Sequence, residues 1–453
     1  MLYLAICDEK NRIYKDETAL ATARTGDVYS ELLEEDVIPL PEGSNVMRLP
    51  ERIPVGINPE SGDFAPVDYA NIDGKVMKAN AAAAILPPGY TRTFLPAYVS
   101  EKDASQLPLF GYTTVAFKDD ELVVAAIRTD ERQTWDPSVY NGPDLAELVE
   151  RMCNKYPENR IVRQLAGCAL DYGCFTAQNV FYQRNEGGIP VSPICNARCL
   201  GCISLQPSEC CPSPQERINF VPTVDEVVEV ITEHLINAED PIISFGQGCE
   251  GEPSIQHKVI SESIRRAREV TPRGTVNINT NAGFTEAIKE ICDAGIDSMR
   301  VSLLSARKDY YNAYHRPVGY TLENVEESIR YARDKGVFVS LNYLAFPGFS
   351  DQEREVYALA DFIERTGINM IQFRNLNIDP EVFIDEIMKG TKEVFCGEED
   401  DSISDERLED EASFEPEDTV VGMVEMIDYL RDCFPDLRIG NFSVQVKQEK
   451  QNI

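Results

Sequence analysis

VSPICNARCLGC, residues 191–202, sets Cys195, Cys199 and Cys202 at a C-x3-C-x2-C spacing, directly after an apolar run that predicts a β-strand near 190–194. Three thiolates on one tight loop can hold three irons of a cubane cluster and leave the fourth iron open to a ligand. A cluster used only for electron transfer would normally take a fourth cysteine. A structural zinc site, with Cys210, Cys211 or Cys249 as the fourth ligand, is the alternative, although zinc sites more often show two paired knuckles.

Downstream of this loop the chain alternates strand and helix. Apolar β runs fall near 241–245, 275–280, 298–303, 337–343 and 370–374. Thr223 and Glu226 form a capping box ahead of an amphipathic face built from Val227, Val228, Ile231 and Leu235. Further helices are expected over about 254–270, 284–294, 321–335 and 351–366, with Gly295, Gly336 and Gly367 placed as stops after the last three. Six βα units in series imply a parallel sheet with helices outside it, curled into a full or partial barrel or doubly wound.

The strands also alternate in chemistry. Asn277, Asn279 and Asn281 alternate with Val276, Ile278 and Thr280; Arg300 and Ser302 with Met299, Val301 and Leu303. Ser340 and Asn342 alternate with Val339, Leu341 and Tyr343, and Gln372 and Arg374 with Ile371 and Phe373. The apolar faces are expected against the outer helices. The polar faces then converge on the concave side, where a sealed barrel would carry Val, Ile and Leu. Amides buried without partners are costly, so these line a ligand-filled or wet cavity, or form a closed hydrogen-bonded network.

The cysteine triad after the first strand of a βα series, followed one strand later by SFGQGCEGEP (Ser244–Pro253), resembles the radical S-adenosylmethionine (SAM) superfamily. That resemblance implies an α/β fold: a radical SAM partial (βα)6 barrel with an N-terminal β-rich domain and a short C-terminal helical extension. It implies a 4Fe–4S cluster on Cys195, Cys199 and Cys202, and SAM chelating the open iron through its amino and carboxylate groups. One-electron cleavage of SAM would give a 5′-deoxyadenosyl radical that takes a hydrogen atom from a substrate. A low-potential electron donor of flavodoxin or ferredoxin type would serve as partner. The substrate is open: a peptide, a cofactor precursor or a partner enzyme.

By the same resemblance Gly251, Glu252 and Pro253 meet the SAM amino group, and Asn279, Ser302 and Asn342 are further cofactor contacts. Ser305 falls beside the position of Ser302. Arg300, Gln372, Arg374 and Asn375 are expected at substrate or SAM. The family usually has an aromatic residue before the last cysteine, and here it is Gly201. The adenine contact attributed to that side chain then falls to a neighbour or to a different seat for the cofactor. His315, among tyrosines in DYYNAYHRPVGY, reads as a packed or hydrogen-bonded structural residue and stays outside the catalytic set.

Around this core the organisation is expected as 1–185, a β-rich N-terminal domain; 186–390, the barrel; 391–420, an acidic linker; and 421–453, a C-terminal helical segment. In the first of these, GYTTVAFKDD and ELVVAAIRT read as a hairpin turning at Asp119 and Asp120. Cys168, Cys174, Cys210 and Cys211 are candidates for an auxiliary site. With 13 cysteines, no secretory signal and no long apolar stretch, the chain is expected to be cytoplasmic and without a disulfide framework. Its 43 basic against 77 acidic residues leave a formal charge of −34, which makes nucleic acid and membrane surfaces poor partners.

Overall fold

The computed structural model describes residues 1–72, 74–205, 215–389 and 419–446. Its second half is built on a seven-stranded sheet whose strands follow chain order and pair in parallel throughout: Arg184–Ile189, Glu239–Phe245, Thr275–Thr280, Ser298–Leu303, Phe338–Ala345, Met370–Asn375 and Arg438–Gly440. The sheet curls into a half-barrel. Between the strands run α4 (Val224–Asn237), α5 (His257–Val270), α6 (Thr285–Asp293), α7 (Lys308–His315), α8 (Leu322–Asp334) and α9 (Glu353–Thr366). The Thr223 capping box is formed, and Gly295, Gly336 and Gly367 take positive φ after α6, α8 and α9. Val276, Ile278, Met299, Val301, Val339, Leu341, Ile371 and Phe373 are sealed into one core with the helices.

The structure corrects the sequence reading in three places. The first strand is Arg184–Ile189, not 190–194. Its Gly187 and Gly188 have no room for a side chain, against Val180 and Gln247 respectively, so it lacks the β-branched residues by which strands are recognised. Residues 145–182, expected as β-like runs, are three helices: α1 (Leu145–Lys155), α2 (Arg160–Leu170) and α3 (Phe175–Tyr182). Leu145, Val149 and Met152 lie on one face of α1 at helical spacing, and all three helices join the core of the parallel sheet. Finally, the C-terminal segment holds a helix, Met423–Cys433, and then the seventh strand, which extends the sheet beyond the six expected strands. The acidic stretch lies almost wholly outside the described residues.

The N-terminal region is antiparallel. Leu2–Cys7 runs between neighbours that include Ile13–Leu20, Asn80–Ile85 and Val115–Lys118. The expected hairpin pairs Lys118 with Glu121 across Asp119 and Asp120. This region is fastened to the sheet through Arg92, whose buried guanidinium donates to the carbonyls of Tyr112 (3.0 Å), Leu376 (3.0 Å) and Ala345 (3.4 Å). No helix among the described residues is long and apolar enough to cross a membrane.

Candidate active site

The carboxyl ends of the parallel strands open on a cavity of about 610 Å³. Its wall carries Cys195, Cys199 and Cys202, the loop residues Gly251, Glu252 and Pro253, and the strand residues Asn279, Arg300, Ser302, Asn342, Arg374 and Asn375. Ile85, Leu86, Pro87, Pro88, Tyr90 and Gly111 of the N-terminal region complete it. Of the residues expected at the cluster, SAM or substrate, all but Gln372 and Ser305 line this one space. Gln372 lies beneath it, and the buried Ser305 donates instead to Glu355 (2.6 Å).

The cysteine loop is held on two sides. The end of α7 supplies one: Leu200 N–H donates to Tyr314 O (2.9 Å), Arg198 N–H to His315 O (3.1 Å), and Val318 N–H to Asn196 O (2.8 Å). The loop after the second strand supplies the other, with Gly251 N–H donating to Ser192 O (2.7 Å) and Glu252 N–H to Ile194 O (2.9 Å). A side chain at Gly251 would collide with the Ile194 carbonyl, so only glycine permits this approach. At Gly201 an added Cβ would sit 2.9 Å from Tyr314 Oη and 3.1 Å from Asn377 O. The space an aromatic residue would need there is already taken.

Burial pushes the Cys195 thiol up to about 11, with the nearby Glu252 carboxylate adding to the effect. Burial also raises Cys199, and the charges of Cys195 and Cys202 raise it further. Both effects favour the protonated form of Cys195 and Cys199 in the absence of a metal. Cys199 Sγ lies 3.6 Å from Nδ1 of His315, and Cys202 Sγ lies 3.5 Å from Ser204 Oγ and 3.7 Å from Nη2 of Arg217. Burial holds His315 down at about 3, so its ring is neutral.

Two carboxylates order the neighbouring loop. Glu250 accepts from four backbone N–H groups, those of Val191, Ser192, Gly246 and Gln247, at 2.6–3.0 Å. Burial pushes it up to about 7, and these donors pull the other way. Glu252 accepts from Ser254 N–H (3.0 Å), Thr280 Oγ1 (2.5 Å) and Asn281 N–H (2.8 Å). Its Oε2 has one of these donors and keeps capacity for another. Burial is again the main upward influence on its pKa.

The polar strand faces divide into two layers. The lower one is a closed network. Glu186 pairs with Arg300 (3.1 Å) and accepts from Ser244 (2.7 Å); Asn277 donates to Ser244 (3.0 Å) and accepts from Ser298 (2.9 Å). Gln372 Oε1 accepts from both Arg300 (2.8 Å) and Arg374 (3.0 Å), and Arg374 also donates to Asn441 (2.8 Å). Burial, and then the charge of Arg300, lower Arg374 to about 9. Burial alone would raise Glu186, but Arg300 and its hydroxyl donors bring it below the ordinary value. In the upper layer Ser302 and Asn342 are directly paired across adjacent strands. Among the described residues the side chain of neither makes a hydrogen bond.

Sequence reasoning missed Glu186, hidden in the glycine-rich first strand, and Asn441, which follows the unexpected seventh strand. Asn375 lines the cavity, but its amide is engaged by Arg92 N–H (2.9 Å) and Tyr90 O (3.1 Å). Cys249 does not stand with the triad; it is buried in the core beside Cys168, with Cys174 close by. Cys210 and Cys211 lie outside the described residues. Among the described residues no three His, Cys, Asp or Glu side chains close on a single-ion position.

Residues 189–360 match the family model described as the Radical SAM superfamily. That match marks a radical SAM domain within the chain, and the superfamily it describes uses a 4Fe–4S cluster and SAM. No curated protein matches it in sequence. Similar solved structures include SuiB from Streptococcus suis bound to the precursor peptide SuiA, at 13% identity and a TM-score of 0.34 over 52% of this chain and 49% of that one. The radical SAM methyltransferase TsrM from Kitasatospora setae aligns at 18% identity and a TM-score of 0.32, over 43% and 36%. HydG, the [FeFe]-hydrogenase maturase from Carboxydothermus hydrogenoformans, aligns at 16% and 0.31, over 55% and 69%. The match thus spans about half of the SuiB chain, and TM-scores this low say nothing about chemistry.

Proposed function

We propose that this chain is a radical SAM enzyme, with Cys195, Cys199 and Cys202 as the ligands of its 4Fe–4S cluster and Glu252 facing the amino group of SAM. The observation that carries this reading is the shared cavity. Three thiols, the Glu252 loop and the unengaged Ser302 and Asn342 face one space, and among the described residues no fourth thiol lines it. Three thiolates without a fourth suit a cubane with one iron left to a ligand. When bound, the cluster and SAM supply a 5′-deoxyadenosyl radical for hydrogen-atom abstraction, with the electron drawn from a flavodoxin- or ferredoxin-type donor.

The protein's own part is to hold and to shield. Thr280 Oγ1 and Asn281 N–H fix the Glu252 carboxylate, whose free acceptor capacity suits an ammonium group. Ser302 and Asn342 offer a hydroxyl and an amide for polar groups of SAM. Arg300 and Arg374 present their guanidinium groups toward the substrate side, held in place by Glu186 and Gln372. Ile85, Leu86, Pro87, Pro88, Tyr90 and Gly111 cover the cavity and keep water from a reactive intermediate.

Anaerobic reconstitution with iron and sulfide, then dithionite and SAM, tests this by chromatography for 5′-deoxyadenosine. The native chain is expected to form it, and Cys199→Ala to lose both cluster and product. A cluster that SAM neither perturbs nor is cleaved by would point to an electron carrier or sensor. Copurifying zinc without iron would overturn the cluster altogether.

A further inference from the structure

The structure places a donor directly against one of the proposed ligands. His315 is 1% exposed, held between Tyr311 (ring centroids 4.5 Å apart) and Tyr314 (5.0 Å) at the end of α7. The backbone N–H of Leu304 donates to its Nε2 (3.2 Å), so that nitrogen must be the unprotonated one. The ring proton of the neutral imidazole is then on Nδ1, which lies 3.6 Å from Cys199 Sγ. The tautomer is fixed by a backbone group, and the N–H has the sulfur before it.

We propose that His315 is a positioning residue for the cluster: its Nδ1–H hydrogen-bonds Cys199 Sγ and raises the reduction potential of the centre that Cys199 helps to hold. This rests on the reading of Cys195, Cys199 and Cys202 as cluster ligands. A hydrogen bond to a ligand sulfur draws electron density from it and stabilises the more negative, reduced state; such bonds are among the determinants of iron–sulfur potentials. The effect should be strong here because the donor is buried and rigid. Arg217 is a weaker counterpart at Cys202. Its Nη2 is 3.7 Å from that sulfur and is also committed to Ser204 Oγ at 2.8 Å.

The experiment is an EPR-monitored redox titration of the reconstituted full chain without SAM, taking the cluster through its one-electron couple with dithionite. His315→Phe keeps a ring and removes the donor, and Tyr311→Phe disturbs the same packing without touching it. The midpoint is expected to move to a more negative potential in His315→Phe and to stay in place in Tyr311→Phe, at equal iron and sulfide content. A full cluster in His315→Phe with the native midpoint would overturn the proposal, as would an equal shift in Tyr311→Phe. Should His315→Phe not fold, the native protein labelled with 15N-histidine still decides: pulsed EPR should detect a histidine nitrogen coupled to the reduced cluster, and its absence would overturn the assignment. Failure of the native chain to assemble any cluster would instead overturn the ligand reading, and this inference with it.

Discussion

The two faces of the parallel sheet are made by the same strands, yet they obey opposite rules: helices seal the convex one, and the concave one opens on the cavity. On the convex face Ile278, Val301, Leu341 and Phe373 meet helices and are 0% exposed. There the only requirement is volume, which hydrophobic burial and close packing supply. On the concave face the matching positions carry Asn279, Ser302, Asn342 and Arg374. Their lower neighbours satisfy one another, while Ser302 and Asn342 are left open to a cavity. The hydroxyl and amide at that end stay available to whatever enters the cavity.

That contrast can be broken from either side. The largest effect on stability is expected on the convex face. Phe373→Ala removes a ring that is 0% exposed and packs edge-on to Tyr343, at a cost of about 3–5 kcal/mol in urea unfolding. Iron and sulfide uptake by the folded fraction should be unchanged. On the concave face, Gln372→Leu takes away the acceptor shared by Arg300 and Arg374. Leaving two partly buried guanidinium groups short of a partner should cost about 1–3 kcal/mol. If SAM still perturbs the cluster spectrum of this variant, the lower network is scaffolding and the ligand layer lies above it.

The smallest effect is expected outside both faces, where Glu226 of α4 makes a two-pronged pair with Arg160 of α2 (2.8 and 2.6 Å). The Arg160 hydrogen bonds hold Glu226 at about 2 instead of the ordinary 4.5. The pair's stabilising contribution is therefore present above pH 4.5 and lost as pH falls through about 2. Because Arg160 is 39% exposed, the contribution is screened to within about 1 kcal/mol. Glu226→Gln should flatten that part of the acid limb and leave stability at neutral pH nearly as before. A neutral-pH loss as large as that of Phe373→Ala would mean that the helices 145–182 depend on this pair and not on their apolar faces.

Much of this was legible without a structure because it is local or periodic. The C-x3-C-x2-C spacing specifies a three-thiolate loop by itself. Period-2 alternation, with glycine stops after helices, specifies the strands from Glu239 to Asn375 and which face of each is polar. The same logic failed where the pattern was absent. The first strand contains Gly187 and Gly188, chosen for close packing against Val180 and Gln247 and not for propensity. The seventh strand is only Arg438–Gly440, too short for any period to register.

Chemistry between distant segments was decided by the tertiary structure alone. Nothing in the order of residues says that Glu186 pairs with Arg300, or that the amide of Asn375 bonds Arg92 and Tyr90. Nor does it say that the imidazole of His315 turns a proton toward Cys199, 116 positions earlier. The sequence by itself determined the three-cysteine loop and the alternating faces, because each depends on spacings within a few residues of chain. Only the fold decided which polar groups spend their hydrogen bonds on one another and which remain for a ligand, because that depends on distances between segments that the chain does not join directly.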